Sequence, residues 1–301
     1  MIQTRPFEFM TRYTPQREWI EGRGVLLWLA FFFIELGAGI FFVASLFSNL
    51  WGMFVGLVVC AVLGGGLHLL YLGHPFRFYL IFLKPQNSWI SRGMIFVAVF
   101  LVLGIIHLGL SYWASSALGL LIVADIFAFL TVIYGGFAMN FANGIPLWNT
   151  ALLPVLYVVA GFWGGAEVAM GIVLKTGALA TVGASVEGLI RILLIAFVII
   201  IAAYLISVRY GLGAGAISVG QIVRGKWAPL FWIVVVVLGV GVPAGVVIHS
   251  VVVGLAATSA SLLYLSIILE LIGDLGSRYL ILKNGFYNPL TPISTVPTAW
   301  T

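Results

Sequence analysis

The sequence contains few charged residues and a single cysteine. Of its 301 residues, 8% are charged and 62% are hydrophobic, whereas a soluble globular domain has about 25% charged residues. The composition excludes such a domain and predicts a polytopic membrane protein. The lone cysteine, Cys60, excludes a disulfide within the chain. It also excludes an iron–sulfur cluster or a cysteine-rich zinc site held by this chain alone, because those sites need several thiolates.

Eight apolar stretches are each long enough to cross a membrane, which takes roughly 20 residues in a helix. They lack period-2 alternation, so they predict helices and not a β-barrel. We expect an all-α integral membrane protein with eight transmembrane helices, packed as two four-helix bundles. One membrane domain is expected over 1–301, with an N-terminal segment over 1–23, the spans within 24–273 and a tail over 274–301. The predicted spans are 24–47, 51–72, 93–113, 117–142, 150–173, 187–208, 229–249 and 252–273.

The basic residues between the predicted spans lie mostly on one side. An even number of spans places both termini on the same side, and Lys175 and Arg191 fall on the other. The positive-inside rule therefore predicts cytoplasmic termini, in a multi-pass protein of the inner or plasma membrane. The basic residues on the side of the termini are Arg5, Arg12, Arg17, Arg23, Arg77, Lys84, Arg92, Arg209, Arg224, Lys226, Arg278 and Lys283.

The histidines give little support for a haem. Two histidine ligands have to lie at a similar depth, and His68 and His74 both fall at the terminus-side end of the second span. Only His107 and His249 could share a depth, near the other ends of spans three and seven. Isolated histidines in membrane helices more often hydrogen-bond to a neighbouring helix, so we expect no haem in this chain.

Four charged residues fall inside the predicted spans, namely Glu35, Asp125, Glu167 and Arg191. Each ionised side chain at such a depth costs at least about 2.5 to 3.5 kcal/mol, so it normally faces the bundle interior, a partner or water. We predict a proton path, in which carboxyl groups exchange protons and Arg191 is the counter-charge. The alternative is a set of neutral carboxylic acids that donate structural hydrogen bonds.

The connections on the side of the termini carry dense motifs, so this side is the predicted working face. Together these motifs resemble the NrfD family, the membrane-subunit type found in polysulfide reductase and related to the dimethyl sulfoxide reductase anchor. The likeness covers nearly the whole chain. The motifs are Leu-Gly-His-Pro-Phe-Arg at 72–77, Ser-Trp-Ile-Ser-Arg-Gly at 88–93, Tyr-Gly-Gly at 134–136, Ile-Pro-Leu-Trp-Asn at 145–149, and Gly273-Asp274 followed by Arg278.

The resemblance implies a quinone-reactive membrane anchor of a respiratory oxidoreductase, without metal cofactors of its own. Such an anchor exchanges electrons between the menaquinone or ubiquinone pool and a four-cluster ferredoxin-like iron–sulfur subunit. That subunit in turn serves a molybdopterin-type catalytic subunit, on which the terminal substrate reacts. The working face would dock these partners, and the residues expected there are Arg77, Trp89, Arg92 and Trp148.

The resemblance also suggests quinone-binding residues. Tyr134 matches the tyrosine of the family's Tyr-x-Gly segment and would hydrogen-bond to a quinone carbonyl, although it could equally be an interfacial belt tyrosine. Family members place a polar pair on the first helix, but 25–33 contains neither histidine nor asparagine. We expect Trp28 to form a stacking wall instead. The further polar candidates are His74, Asp274 and Arg278.

These residues suggest a mechanism in which Tyr134 and His74 orient the quinone headgroup. Glu35, Asp125, Glu167 and Arg191 would form a relay from this site to the opposite surface, so that turnover would be electrogenic. A proton-coupled secondary transporter is the alternative, because mid-membrane carboxylates and glycine-broken helices also suit that class. A transporter should purify alone, whereas an anchor should arrive with iron–sulfur and catalytic subunits.

Overall fold

The computed structural model describes residues 19–113, 118–211 and 213–288, which are helical and contain no strand. Eight helices in this part of the chain are long and apolar enough to cross a membrane. This confirms the predicted all-α, eight-span class. We call them spans one to eight, in chain order: Gly24–Leu46, Leu50–Tyr71, Trp89–Trp113, Leu118–Asn140, Leu152–Thr176, Leu179–Tyr210, Leu230–Val253 and Ala260–Lys283.

Local sequence signals set several of the helix ends. Span two begins where the Asn49 side chain accepts a hydrogen bond from the Gly52 amide at 2.9 Å, and the Ser259 hydroxyl accepts one from the Leu262 amide at the start of span eight. Side chains of this kind satisfy amide groups that have no partner within the first turn of a helix. Span five ends at Thr176, and the next residue, Gly177, has a φ of 73° and gives the left-handed turn that commonly follows a helix.

Two spans differ strongly from their predicted bounds, whereas the ends of the other six shift by four residues or fewer. Span six begins at Leu179 and not at 187, and span eight covers Ala260–Lys283 and not 252–273. The predicted tail over 274–301 therefore begins inside a membrane helix. Hydropathy placed the end of span eight too early because Asp274 and Arg278 are charged, but their charges are paired within the bundle. Its start was placed too early because the chain turns after span seven at Gly254, with φ of 92°.

Spans one and five lie at the centre of the molecule. In each of them 67% of the most apolar stretch is buried, compared with 22% in span six. The two central helices pack closely through glycines, since a Cβ on Gly39 would lie 2.1 Å from the Gly161 carbonyl oxygen. Such small residues let membrane helices approach each other.

The remaining helices pack around this central pair. Span one also contacts spans two, four and eight, and span five contacts spans four, six and eight. These contacts do not by themselves delimit two four-helix bundles, so that arrangement stays a prediction. A short connecting helix, Gly215–Val223, follows span six, and Pro75–Leu83 forms a 3₁₀ segment between spans two and three.

Candidate functional site

The most polar part of the interior is an ion-pair cluster around Arg278 of span eight. Its Nε lies 3.0 Å from both carboxylate oxygens of Asp274, one turn earlier. Its Nη1 donates to Oε2 of Glu35 on span one. The guanidinium also lies 4.5 Å from the ring centroid of Tyr157 on span five. Arg278 is 3% exposed and Glu35 is 0% exposed, so the cluster joins spans one, five and eight in the interior of the protein.

Two further carboxyl groups continue this cluster deeper into the bundle. Glu270 lies one turn before Asp274 on span eight, and neither of its oxygens has a hydrogen-bond partner among the described residues. It faces span five, where a Cβ on Gly164 would lie 3.7 Å from Glu270 Oε1. Glu167, one turn beyond Gly164, accepts a hydrogen bond from Trp163 Nε1 at 3.3 Å. We call Glu35, Asp274, Arg278, Glu270 and Glu167 the polar column.

The charges of the polar column do not balance if every group is ionised. Four carboxyl groups share one guanidinium, and uncompensated charges are costly to bury. Protons on some of the carboxyl groups have to balance the remaining charge. A balanced column therefore contains neutral carboxylic acids beside the ion pairs of Arg278.

Tyr134 of span four lies beside this column. Its side chain is fully buried, and its hydroxyl has no hydrogen-bond partner among the described residues. Buried tyrosine hydroxyls usually find a partner. The next residue, Gly135, directly faces Glu35, because a Cβ at Gly135 would lie 1.9 Å from Glu35 Oε1. That oxygen also lacks a partner, whereas Oε2 holds Arg278. One buried phenol and one carboxylate oxygen thus remain available in the same region.

The Tyr-Gly-Gly motif at 134–136 has a packing reason at each position. The Tyr134 ring occupies the space beside Gly93, where a Cβ would lie 1.8 Å from a ring carbon. Gly135 leaves room for the Glu35 carboxylate, as described above. Gly136 lets span four cross span five at Pro154, whose Cα would lie 2.6 Å from an added Cβ. The motif therefore places the phenol and the carboxylate together, and Gly93 of the 88–93 motif completes the tyrosine's pocket.

An aromatic side chain links Tyr134 to a histidine that the sequence analysis did not select for the quinone site. The Phe31 ring of span one lies 5.7 Å from the Tyr134 ring and 5.5 Å from the His68 ring, between centroids. His68 is buried on span two, and its Nδ1 has no partner among the described residues. His74, which was predicted to orient the quinone, is exposed in the connection after span two. His68 is thus the better-placed histidine.

The other predicted quinone residues lie where spans one and eight meet. Trp28 donates from Nε1 to the Leu275 carbonyl oxygen at 3.1 Å, and its ring lies edge-on to Tyr279 at 5.3 Å. Asp274 and Arg278 form the ion pair described above. Trp28 therefore packs on span eight through Leu275 and Tyr279, the residues that follow Asp274 and Arg278. Tyr134 lies instead with Phe31, which also contacts His68.

The predicted proton-path residues do not form one chain of contacts. Glu35 and Glu167 belong to the polar column, but Asp125 accepts from the Ser45 hydroxyl at 2.9 Å, towards the far end of span one. Arg191 is not the counter-charge of this column, a role that Arg278 fills. Its nearest carboxylate is Glu187 at 3.9 Å, one turn away on span six. Glu187 in turn accepts from Ser250 of span seven.

The predicted docking residues differ in exposure. Arg77 is exposed, while Trp89 and Arg92 are half-buried. Arg92 donates to the carbonyl oxygens of Pro85 and Gln86 at 2.7 Å, so it holds the connection between spans two and three in shape. Trp148 is fully buried and donates to the Ile281 carbonyl oxygen at 2.8 Å. Its side chain therefore packs in the interior, next to the working face, and is not part of the exposed surface.

Sequence reasoning missed Glu270, Glu187, Tyr157 and His68 as members of buried polar groups. Glu270 was placed at the end of span eight because the predicted helix stopped at 273. A signal was available, since Glu270, Asp274 and Arg278 follow one another at four-residue intervals and so share one helix face. Three charged residues on one face of an apolar helix are typical of a paired, buried stripe.

Metal-binding potential is limited in the described residues, where no group of three or more His, Cys, Asp or Glu side chains could hold a metal ion. The two histidines considered as a haem pair have separate surroundings. His107 is buried with Nε2 lying 3.3 Å from the Ser111 hydroxyl, and His249 is exposed. The expectation that this chain binds no haem stays a prediction.

Eight helices long and apolar enough to cross a membrane, packed around a buried cluster of charged side chains, define a multi-pass integral membrane protein. The family model described as "Polysulphide reductase, NrfD" matches residues 23–289. The chain therefore belongs to the NrfD family, the membrane subunits of polysulphide reductase-like complexes, which confirms the resemblance seen in its motifs. Comparison with curated proteins gave no match.

Proposed function

We propose that this protein is the quinone-reactive membrane anchor of a multisubunit respiratory oxidoreductase. The observation that carries the proposal is the buried Tyr134 hydroxyl, which has no partner among the described residues and lies in a family motif beside Glu35. An unpartnered buried hydroxyl is costly in a structural role. A quinone carbonyl or quinol hydroxyl would satisfy it.

The chemistry of quinol oxidation fits the groups around Tyr134. Oxidation of a quinol to a quinone releases two electrons and two protons. Tyr134 would orient the headgroup through its hydroxyl, and the free Oε1 of Glu35 would accept a proton. Arg278 holds the other oxygen of Glu35 and so fixes the orientation of the carboxylate. His68 is a second candidate for the headgroup, in place of the exposed His74.

Protons would then move along the polar column. Glu270 would follow Asp274 one turn away on span eight, towards the opposite surface, and Glu167 would continue the path on span five, which Glu270 faces at Gly164. Asp125 would serve nearer that surface, and Arg191 lies apart from the column. We propose that this transfer makes turnover electrogenic. Carboxamide variants of Asp125 or Glu167 that leave quinone activity and its pH dependence unchanged would contradict the relay.

The electrons would leave through partner subunits. The proposed acceptor or donor is a four-cluster ferredoxin-like subunit that docks on the working face, and a molybdopterin-type subunit would carry the terminal reaction. Either menaquinone or ubiquinone would be the lipid-soluble substrate. The excess of basic residues on this face supports cytoplasmic termini in the inner or plasma membrane.

Gentle solubilisation from the native membrane tests the proposal. The co-purifying polypeptides, iron, and molybdenum or tungsten would be measured, together with quinol oxidation by an artificial acceptor. We expect a stoichiometric iron–sulfur partner and activity that a quinone-site inhibitor abolishes. A metal-free chain that purifies alone and does not oxidise quinol would contradict the anchor and favour the proton-coupled transporter.

A further inference from the structure

A groove on the outer surface contains two arginines that the polar column and the proposed quinone chemistry do not use. It lies between the last turns of span six and the connecting helix Gly215–Val223, with a volume of about 230 Å³. Arg209 and Arg224 both line it. Its other lining residues include Leu205, Ile206, Tyr210 and Val223.

The local fold brings the two arginines to one groove. After span six the chain turns at Gly213, with φ of 81°, and the Ala214 amide donates to Asn288 Oδ1 at 2.8 Å. This turn lays the connecting helix beside the end of span six. Arg209 donates from Nη1 to the Ala216 carbonyl oxygen at 3.2 Å. Its guanidinium passes close to Gly220 of this helix, where a Cβ would lie 3.7 Å from Arg209 Nη1, at ordinary contact distance.

The charge of this groove is not balanced by any of the described residues. Among the residues that the structure describes, no carboxylate lies within 4.0 Å of Arg209 or Arg224. Both residues are exposed, and like charges that face the same groove repel each other. An anion between them would remove this repulsion and could accept hydrogen bonds from both guanidinium groups.

The apolar part of the groove indicates what kind of anion fits. Leu205 and Ile206 continue from the arginines along span six, and Ile206 is 58% exposed. Further along the same helix Ile199 is also exposed. A small soluble anion would make no use of this apolar strip. A molecule with an anionic head and a hydrocarbon tail would cover both parts.

We infer that the Arg209–Arg224 groove binds an anionic phospholipid, with the phosphodiester between the two guanidinium groups and an acyl chain along Leu205 and Ile206. Basic pockets between membrane helices recognise anionic headgroups in this way. Tyr210, 85% exposed at the end of span six, lies at the level of the headgroup and glycerol, where tyrosine is enriched. The site fixes the connecting helix to the membrane surface.

Photolabelling tests this inference on the full chain, purified with its co-purifying subunits and reconstituted in phosphatidylcholine vesicles. Two probes with the same diazirine-bearing acyl chain are compared, one with a phosphatidylglycerol head and one with a phosphatidylcholine head. We expect the phosphatidylglycerol probe to label residues 205–224 preferentially. Each of Arg209→Gln and Arg224→Gln should lower this labelling about fivefold, the worth of one cation at an anionic surface.

Matched variants distinguish an effect on the lipid site from an effect of overall charge or of misfolding. Arg209→Lys/Arg224→Lys keeps both charges and should retain most of the labelling. Lys84→Gln removes an exposed cation from the same side of the protein, outside the groove, and should leave the labelling of 205–224 unchanged. Gly220→Phe fills the groove while keeping both arginines and should reduce labelling as the glutamine variants do.

Three outcomes would overturn the inference. Equal labelling of 205–224 by the two probes in the unmodified protein would exclude headgroup recognition, whatever the variants do. Labelling that inorganic phosphate abolishes would assign the groove to a soluble anion. Protection of 205–224 by a co-purifying subunit, without labelling by either probe, would make the groove a protein interface.

Discussion

Arg278 and Arg191 both lie within membrane helices, but their surroundings differ. Arg278 is 3% exposed and contacts two carboxylates on spans one and eight. Arg191 has a side chain that is 41% exposed, and its nearest carboxylate is 3.9 Å away on its own helix. It borders an apolar groove between spans six and seven. A charge that joins helices has to be fully paired, whereas a charge at the lipid-facing surface can reach water or headgroups.

Removing each arginine is the strongest test of this difference. Arg278→Leu leaves Glu35 and Asp274 buried without their counter-charge, and we expect a loss of about 3 to 5 kcal/mol in stability. Arg191→Leu removes a partly exposed cation and should cost less than about 1 kcal/mol. Thermal unfolding in detergent measures the stability of both variants, and the yield of folded protein after purification is a second readout.

A compensating variant addresses the mechanism of this loss. Glu35→Gln combined with Arg278→Leu removes one of the buried carboxylates that Arg278→Leu leaves unpaired, and should recover part of the stability. Equal losses of stability for Arg278→Leu and Arg191→Leu would contradict the distinction between an arginine paired between helices and one at the surface. Absence of any recovery would instead assign the loss to packing against Tyr157.

A comparison of two buried tyrosines separates catalysis from structure. Tyr134 has no hydroxyl partner among the described residues, whereas Tyr204 donates to the Leu147 carbonyl oxygen at 2.6 Å. Tyr134→Phe should lower quinol oxidation about 100-fold, the lower end for a positioned proton-transfer group, with stability unchanged. Tyr204→Phe should cost about 1 kcal/mol of stability and leave the turnover of the folded protein intact.

Thermal unfolding and initial rates on the same preparations measure the tyrosine pair. The interpretation of Tyr134 as a quinone-site residue fails if its phenylalanine variant keeps full activity. It also fails if both variants lose activity in proportion to their loss of folded protein, because the hydroxyl would then have only a structural role.

The sequence predicts the eight helices and two of the buried acids, but not how the acids are paired. Continuous apolar runs set span number, and Glu35 and Glu167 are recognisable because apolar residues surround them. Arg278 was placed in the C-terminal tail, because hydropathy averaged over neighbouring residues cannot register Glu35. Glu35 lies 243 positions away and pairs with Arg278 only when spans one and eight pack. Partners between distant helices are a property of packing. The four-residue spacing in span eight was the one local clue.

The glycines of spans four and six give a smaller contrast, between a tightly packed position and one with open space beside it. A Cβ at Gly135 would lie 1.9 Å from Glu35 Oε1, whereas a Cβ at Gly188 would meet nothing within 4 Å. Gly135→Ala should displace the carboxylate and cost about 1 to 3 kcal/mol. Gly188→Ala should be neutral or stabilise its helix by up to about 1 kcal/mol. Thermal unfolding compares them, and equal effects would contradict the placement of Glu35 against span four.

The smallest expected change in stability concerns two buried carboxyl groups. Glu270 belongs to the polar column around Arg278, and Glu187 lies beside Arg191. Glu270 has no hydrogen-bond partner for either oxygen among the described residues, so Glu270→Gln should change stability by less than about 1 kcal/mol. It removes a group that can exchange a proton, however, and should reduce the number of protons released across the vesicle membrane per quinol oxidised.

Glu187 is the matched control. It contacts Arg191 and Ser250 outside the polar column, so Glu187→Gln should leave this ratio of protons to quinol unchanged. A pH-sensitive dye inside the vesicles measures the ratio. If the two variants keep the same ratio as the unmodified protein, the polar column holds charge for structure alone, and protons leave by another route.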